Sequence, residues 1–175
     1  LQHIRVKIIA RGEPSYPWKL QAPGNTGEWG NCQFIFDRDQ GNYDWLVVVD
    51  DLSRSHASQP EILSCADEHT LLVTTEPPTI TRYGRSFAAQ FEHVLTSQSD
   101  QALPHPSRIH SHTGNLWFNG HSYDEIVDNG MPKKNAPLST VCSSKQQRHT
   151  IHKNRYDFTY WLKKKLPELD VFGHG

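Results

Sequence analysis

One carboxylate in the sequence has the setting that a general base needs. Glu76 follows an apolar run, Thr70–Thr75, and precedes the dipeptide Pro77–Pro78. Proline fixes its own backbone dihedral angle, so an acid between a strand and two prolines has little freedom to move. A carboxylate held in this way can accept the proton of a substrate hydroxyl. The alternative interpretation is a solvated carboxylate at a strand end.

The second candidate residue is an arginine closer to the C-terminal end, in a setting that suits an anionic ligand. Arg155 falls near the start of a helix that the sequence predicts from about Thr150. Free backbone N–H groups, the helix dipole and a guanidinium can together hold phosphate oxygens at such a position. The alternative interpretation is an arginine on a solvated helix face.

Two groups of residues raise the question of a metal site. Asp50 and Asp51 end an apolar strand, where adjacent acids commonly cap the following turn. Four histidines are separated by five, two and nine residues, and no cysteine lies among them: His105, His110, His112 and His121. These spacings match neither a helical nor a zinc-finger pattern. We therefore expect no metal site and no metal cofactor.

Short apolar runs with β-branched residues predict the strands that position these groups. The predicted strands are His3–Ala10, Tyr43–Val49, Thr70–Thr75 and Phe91–Thr96, and Phe34–Phe36 is predicted as a short strand or a helix turn. Tyr43–Val49 is apolar enough to lie at the centre of a sheet with both faces covered. Short helices are predicted over Pro60–Ala66 and Arg82–Gln90. These elements indicate an α/β chain.

The last part of the sequence predicts a complete strand, helix and strand. Leu138–Cys142 has the composition of a buried strand. Apolar residues then recur at steps of three and four up to Pro167, which ends the predicted helix: Ile151, Phe158, Trp161, Leu162 and Leu166. Leu169–Phe172 is predicted as the second strand. A parallel unit of this kind places its ligand outside the carboxyl ends of the strands, here 143–145 and 173–175.

Three motifs of this segment together resemble a known family. They are Ser143-Ser144-Lys145, Arg155-x-x-Phe158-x-x-x-Leu162 and Asp170-Val171-Phe172-Gly173-x-Gly175. Their order and spacing resemble the family 10 glycosyltransferases of bacterial type, the α-1,3/1,4-fucosyltransferases. Glu76 with the proline after it is similar to a Glu-Pro strand end of the same family. Ser144 stands where the family usually has Asn, and Gln98 stands where it usually has Arg or Tyr.

The resemblance implies an α/β fold of glycosyltransferase B type. In that arrangement the active site lies between two Rossmann-like domains. Residues 1–134 correspond to the Rossmann-like N-terminal, acceptor-side domain, and Lys133–Pro137 corresponds to a linker. Residues 138–175 correspond to the truncated beginning of the nucleotide-sugar (donor) domain, which is its first strand, helix and strand.

The resemblance also implies a reaction and the residues for it. The reaction is transfer of L-fucose, or a related sugar, from a GDP-sugar to a glycan hydroxyl with inversion and without a metal. Glu76 matches the acid that deprotonates the acceptor hydroxyl. Arg155 matches the arginine that contacts the diphosphate of GDP-fucose. Lys145, Ser143 and Gly173 are the further candidates for donor binding.

The expected partners are GDP-fucose or a similar nucleotide sugar and a glycan acceptor, either lipopolysaccharide or another surface glycan. The family's later donor-binding segment lies beyond Gly175, so we expect the 175-residue chain alone to be inactive. Two other interpretations stay open. One is a non-catalytic glycan-binding fragment that uses Trp18, Trp29 and Trp117, and the other is an unrelated small nucleotide-binding α/β domain.

Composition narrows the class of protein further. The net charge of −1 argues against a nucleic-acid partner, which would need a strongly basic surface. The three cysteines are far apart and form no CxxC pair, as in a reducing cytoplasm. No apolar run approaches the roughly 20 residues that span a bilayer, and no signal segment opens the sequence. We expect a cytoplasmic enzyme, either free or peripheral at the inner membrane face.

Overall fold

The computed structural model describes residues 3–10, 17–52, 60–114 and 118–173. The chain forms two compact units, Leu1–Gly130 and Met131–Gly175. The first unit is a mixed α/β structure built on a seven-stranded sheet, and the second contains a two-stranded sheet with one long helix. The α/β prediction is confirmed at this level.

The seven strands of the first unit are short and mostly parallel. They are β1 (Ile4–Ala10), β2 (Glu28–Trp29), β3 (Cys32–Ile35), β4 (Trp45–Val49), β5 (Thr70–Thr74), β6 (His93–Thr96) and β7 (Arg108–His110). Their order in the sheet is β2-β3-β1-β4-β5-β6-β7, and β2–β3 is the antiparallel pair among these strands. The order reverses at β1, which pairs with both β3 and β4. In open parallel sheets the carboxyl ends at such a reversal form a crevice for ligands.

Two short helices belong to the first unit, α1 (Arg85–Ala88) and α2 (Tyr123–Asn129). Ser122 begins α2 with a capping box: its hydroxyl accepts the Glu125 N–H, and the Glu125 carboxylate accepts the Ser122 N–H at 2.6 Å. Three 3₁₀ turns cover Trp18–Gln21, Pro23–Asn25 and Asp67–His69. None of the helices in the described ranges is long and apolar enough to cross a membrane.

The core of the first unit lies on one face of the central strands. Ile9, Leu72 and Val94 are completely buried, and they come from β1, β5 and β6. Along β4 the residues alternate between buried and half-buried. The central position predicted for β4 is therefore confirmed, but its second face is only half-covered. Trp45 on that face stacks against His69, with ring centroids 4.6 Å apart.

The helix predicted over Pro60–Ala66 is wrong, because this segment contains no helix. Contacts with residues that are distant in the sequence hold this segment. The Lys7 ammonium lies 2.5 Å from the Glu61 carboxylate, and the Tyr43 N–H donates to the Ser64 hydroxyl at 3.1 Å. Tertiary hydrogen bonds of this kind override a local helical preference.

The second unit consists of β8 (Leu138–Val141), α3 (His152–Lys165) and β9 (Leu169–Phe172). The two strands pair in parallel, with Leu138 opposite Leu169. This strand, helix and strand order is the one that the sequence predicts. The Lys163 ammonium closes the C-terminal end of α3 by donating to the carbonyl oxygens of Pro167 and Leu169.

The apolar surfaces of this unit are more exposed than the sequence predicts. Val141 is 71% exposed, so β8 is not the buried strand that its composition suggests. Phe158 and Trp161 of α3 are 58% and 54% exposed. Two strands and one helix are too few to cover one another, since a self-sufficient sheet needs about three or more strands.

Candidate active site

Glu76 lies two residues after the end of β5, and the residue before it is anchored by Asp50. The Asp50 carboxylate accepts hydrogen bonds from the Thr75 N–H, at 2.6 Å, and from the Thr75 hydroxyl. Asp50 itself has φ of 65°, a left-handed conformation in which Asp is one of the few tolerated side chains. The Asp50 N–H donates to the Val73 carbonyl oxygen at 2.8 Å. The end of β4 therefore fixes the path by which β5 delivers Glu76.

Gln98 anchors the other side of Glu76. The Gln98 Nε2 atom donates to the Glu76 carbonyl oxygen at 2.7 Å and to the Thr81 carbonyl oxygen at 3.3 Å. Gln98 is only 2% exposed, and its own N–H donates to the Thr96 hydroxyl at 3.1 Å. The turn that follows β6 thus holds the turn that follows β5. Pro77 comes next and has a fixed φ, so the backbone is restrained on both sides of Glu76.

The Glu76 side chain is half-buried and remains available. Its carboxylate makes no hydrogen bond or ion pair with any residue that the structure describes. Its charge nevertheless contributes to the raised pKa of Tyr83. Burial is the main cause of that shift, followed by the hydrogen bond that the Tyr83 hydroxyl donates to Asp50. Tyr83 therefore stays protonated and neutral next to two carboxylates.

The Asp50 carboxylate accepts three hydrogen bonds, from the N–H and hydroxyl of Thr75 and from the Tyr83 hydroxyl, so it joins β5 and Tyr83 to the end of β4 instead of capping the turn that follows it. Asp51 accepts a hydrogen bond from the Leu52 N–H at 2.8 Å. His105 lies 3.0 Å from the Phe91 carbonyl oxygen, and His110 lies 3.3 Å from that of Ser97. Among the described residues, no three His, Cys, Asp or Glu side chains form a group that could hold a metal ion.

The predicted donor-binding residues lie in the second unit, at the carboxyl ends of β8 and β9. Arg155 is in the first turn of α3, and its guanidinium lies 3.5 Å from the Ser143 hydroxyl and 3.4 Å from the His152 ring nitrogen. Ser143 follows β8. The structure therefore brings Arg155 and Ser143 together. Lys145 is exposed in the segment between β8 and α3.

Gly173 follows β9 and packs directly on the backbone of β8. Its φ is +135°, and a Cβ atom at this position would lie 2.2 Å from the Cys142 carbonyl oxygen. The Cys142 N–H donates to the Phe172 carbonyl oxygen at 2.8 Å, which continues the pairing of the two strands. Gly173 thus allows a close backbone approach, and the neighbour that it approaches is the residue before Ser143.

The segment from Ser143 to Arg155 is positively charged and contains no acid. Its basic residues are Lys145, Arg148, His149, His152, Lys153 and Arg155. Within the described part of the chain, Lys153 is the one of these that pairs with a carboxylate, that of Asp157 at 2.8 Å. At the start of α3 the Thr150 hydroxyl accepts the His152 N–H at 3.2 Å, and Ile151 provides no side-chain cap for the other N–H groups of the first turn. Free N–H groups, the helix dipole and several cations at one place favour an anionic ligand.

Sequence reasoning missed the residues that hold Glu76. Asp50 was considered only as a metal ligand or a cap, and Gln98 only as a departure from a family pattern. Each follows a parallel strand adjacent to β5, so their closeness to Glu76 is a consequence of strand order in the sheet. The carboxyl ends of neighbouring parallel strands meet at one edge, and polar residues there are the available signal.

Comparisons with known proteins give no match to this chain, whether with family models, with curated proteins or with solved structures.

Proposed function

We propose that this chain belongs to a glycosyltransferase that moves L-fucose, or a related sugar, from a GDP-sugar to a glycan hydroxyl with inversion. The observation that carries the proposal is the setting of Glu76. Its backbone is restrained on both sides, and its half-buried carboxylate is without a partner among the described residues. A restrained carboxylate at the carboxyl edge of a parallel sheet suits a general base. The sequence motifs direct the choice of reaction.

In the proposed reaction Glu76 acts in a single displacement. A carboxylate oxygen of Glu76 takes the proton of the acceptor hydroxyl, and the hydroxyl oxygen forms a bond to C1 of the donor sugar. The bond between C1 and the β-phosphate oxygen breaks, and both of its electrons leave with GDP. Attack from the face opposite the leaving group inverts the configuration at C1.

The second unit supplies the groups for the leaving diphosphate. Arg155 is the proposed clamp, because a guanidinium donates two parallel hydrogen bonds to phosphate oxygens. Ser143 lies within 3.5 Å of it and adds a hydroxyl donor, and Lys145 adds a further positive charge. Gly173 itself packs closely on the backbone of Cys142, the residue before Ser143. Cations and helix N–H groups stabilise leaving-group charge in this proposal, without a metal.

The proposed fold at the finer level is that of a two-domain glycosyltransferase of B type. The first unit corresponds to the Rossmann-like acceptor-side domain, and the second corresponds to the start of the donor domain. The parallel order of the large sheet and the parallel β8–β9 pair connected by α3 support this assignment. The cytoplasm, or the inner membrane face, remains the proposed location.

A nucleotide titration tests the donor side of the proposal. We expect GDP and GDP-fucose to bind the chain in calorimetry, and ADP to bind more weakly. Arg155→Ala is expected to raise the dissociation constant of GDP by roughly tenfold or more, because charge-assisted hydrogen bonds are lost. Arg155→Lys is expected to restore part of the affinity, since an ammonium provides charge without the two-pronged geometry.

The matched control is Lys164→Ala, which removes an exposed cation from the last turn of the same helix. We expect less than a twofold change for this variant. Equal weakening by Lys164→Ala and Arg155→Ala would show that only net charge matters, and unselective binding of ADP would favour an unrelated nucleotide-binding domain. Fucosyl transfer itself is measured with GDP-fucose on the full-length product of the gene.

A specific observation also favours the alternative of a glycan-binding protein without catalysis. A cavity of about 190 Å³ is lined largely by aromatic side chains of the first unit, among them Trp18, Trp29 and Phe36. Trp18 stacks on Phe36 with a centroid separation of 5.6 Å, and Trp29 is 52% exposed. Aromatic faces of this kind suit sugar rings. Trp117, the third tryptophan considered for this role, lies outside the described residues.

A further inference from the structure

A second cavity, of about 340 Å³, lies between the turns that follow β5 and β6, and the first of these turns contains Glu76. Pro78 and Arg82 line it from the turn that follows Glu76. Ser99, Gln101 and Ala102 line it from the turn that follows Gln98. Its volume lies in the range of small-molecule sites, about 300–1,000 Å³. The turn that begins at Glu76 therefore also forms a wall of a cavity large enough for a small ligand.

Hydrogen bonds hold both walls of this cavity in place. The buried Gln98 side chain donates to the carbonyl oxygens of Glu76 and Thr81, so it ties the first wall to the second. In the second wall, the N–H groups of Ala102 and Leu103 both donate to the Ser99 carbonyl oxygen at 3.0 Å. Leu103 is completely buried. The cavity is thus preformed, and a ligand would not have to order its walls.

The charge in the cavity is positive. Arg82 is exposed, and its guanidinium makes no hydrogen bond or ion pair within the ranges that the structure describes. No carboxylate is among the five lining residues. Asp100, which lies in the sequence between the lining residues Ser99 and Gln101, forms an ion pair with Arg108 at 2.7 Å, and Glu76 is not among the lining residues. Arg82 therefore has no acidic counterpart in the cavity lining.

The lining combines this cation with neutral polar groups. The Ser99 hydroxyl and the Gln101 amide can donate to and accept from sugar hydroxyls. A guanidinium binds a carboxylate with two parallel hydrogen bonds, which a neutral sugar does not offer. The groups present fit a sugar that carries a carboxylate better than a neutral one.

We propose that this cavity binds a carboxylate-bearing sugar unit of the acceptor, with Arg82 paired to the carboxylate. The proposal rests on the proposed function, because it assigns the acceptor side of the site that contains Glu76. Pro77 alone separates Glu76 from the lining residue Pro78. A sugar in the cavity thus lies beside the turn that contains the proposed base, and the proposed acceptor is an acidic glycan.

The test is an NMR titration of the ¹⁵N-labelled chain with two matched probes, methyl β-D-glucuronide and methyl β-D-glucoside. We expect the glucuronide to shift the backbone signals of Ser99 and Gln101 and to bind at least about fivefold more tightly than the glucoside. Arg82→Gln is expected to weaken glucuronide binding by roughly tenfold and to leave glucoside binding unchanged. The glucuronide affinity of Arg82→Lys is expected to lie between those of the unaltered chain and Arg82→Gln.

The matched control is Arg85→Gln, which removes an exposed arginine three residues further on that does not line the cavity. Its glucuronide affinity is expected to stay within about twofold of the unaltered chain. Equal affinity for the two glycosides, equal loss in the Arg82 and Arg85 variants, or no glucuronide binding would each overturn the proposal. The sugar titration contains no nucleotide. A failed GDP titration therefore counts against the proposed transfer and does not affect the result for this cavity.

Discussion

The amide nitrogen of the Gln98 side chain lies 2.7 Å from the carbonyl oxygen of Glu76 and donates a hydrogen bond to it. The same nitrogen donates to Thr81 five residues later, so one buried side chain closes the turn that contains Glu76. Asp50 holds the residue before Glu76 from the opposite side. The position of the proposed base thus depends on two residues that follow different strands.

The first prediction concerns Glu76 itself. Glu76→Gln keeps the size of the side chain and removes its ability to take a proton. In the gene-encoded protein we expect kcat for fucosyl transfer to fall by roughly 10²–10⁴-fold with donor affinity nearly unchanged. Steady-state kinetics with GDP-fucose and calorimetry with GDP measure the two quantities. Turnover close to that of the unaltered protein would remove Glu76 from the role of base.

The second prediction concerns Gln98 as a positioning residue. Gln98→Leu leaves two partly buried carbonyl oxygens without this donor, and we expect the free energy of unfolding to fall by about 1–3 kcal/mol. Urea unfolding measures the change. Gln90→Leu is the control, because Gln90 is exposed and makes a single long hydrogen bond to Ser86. We also measure kcat under conditions where Gln98→Leu is fully folded. A lower kcat there would show that Gln98 positions Glu76 and does not act through stability alone.

The third prediction concerns pH and Tyr83. Its folded-state pKa is raised above the unfolded value of about 10, so on unfolding at high pH the chain releases a proton that the folded state retains. The stabilisation is present below pH 10 and is lost as pH rises, with a slope of up to about 1.4 kcal/mol per pH unit. Tyr83→Phe is expected to flatten this slope. Tyr123→Phe in the same unit is the control. Burial also raises the pKa of Tyr43, which is unaltered in both variants and contributes equally to their slopes.

The fourth prediction concerns the buried cation of β1. Lys7 is 2% exposed, pairs with Glu61 and lies 5.1 Å from the centre of the Tyr43 ring. Lys7→Met removes the cation that pairs with the Glu61 carboxylate, and we expect a loss of about 3 kcal/mol in unfolding free energy. Combining Lys7→Met with Glu61→Leu is expected to cost less than Lys7→Met alone. A double variant that is less stable than the sum of the single variants contradicts this account.

The fifth prediction concerns Gly173. In Gly173→Ala the new methyl group meets the Cys142 carbonyl oxygen, and the backbone has positive φ. We expect a loss of at least about 1–3 kcal/mol from strain, seen as weaker hydrogen-exchange protection of the β8 and β9 amides. Gly41→Ala is the control, because a methyl group there would contact nothing within 4 Å. Unchanged protection in Gly173→Ala would mean that the strands separate at little cost.

Local patterns predicted those elements whose stability depends on local residues. The apolar runs of β1, β4, β5 and β6 and the spacing within α3 identify these elements correctly. The strands β2 and β7 were missed, because two and three residues carry no readable alternation. Pro60–Ala66 was mistaken for a helix because the partner of Glu61 is 54 residues away in the sequence.

The residues of the candidate site show the same contrast between local signals in the sequence and contacts with distant residues. Glu76 and Arg155 are candidates because neighbouring residues, prolines in one case and a predicted helix start in the other, mark them, and their roles stay predictions. Asp50 and Gln98 were not assigned as supports of Glu76, because their contacts form only when β4, β5 and β6 lie side by side. The exposure of Val141 and Phe158 was also unforeseen, since composition indicates apolarity but not what covers it.

The order of the strands has a consequence for how the chain folds. Among the described strands, β2 and β3 form the one hairpin, and it pairs only Glu28 with Gln33 and Trp29 with Cys32. Each other pair joins strands that are separated by a longer connection. The chain must therefore lose the entropy of closing that loop before the strand pair contributes any stability. No short hairpin can act as a nucleus for the centre of the sheet. We expect the first unit to fold on the slow side for its size, at a rate set by how often β1, β4 and β5 meet.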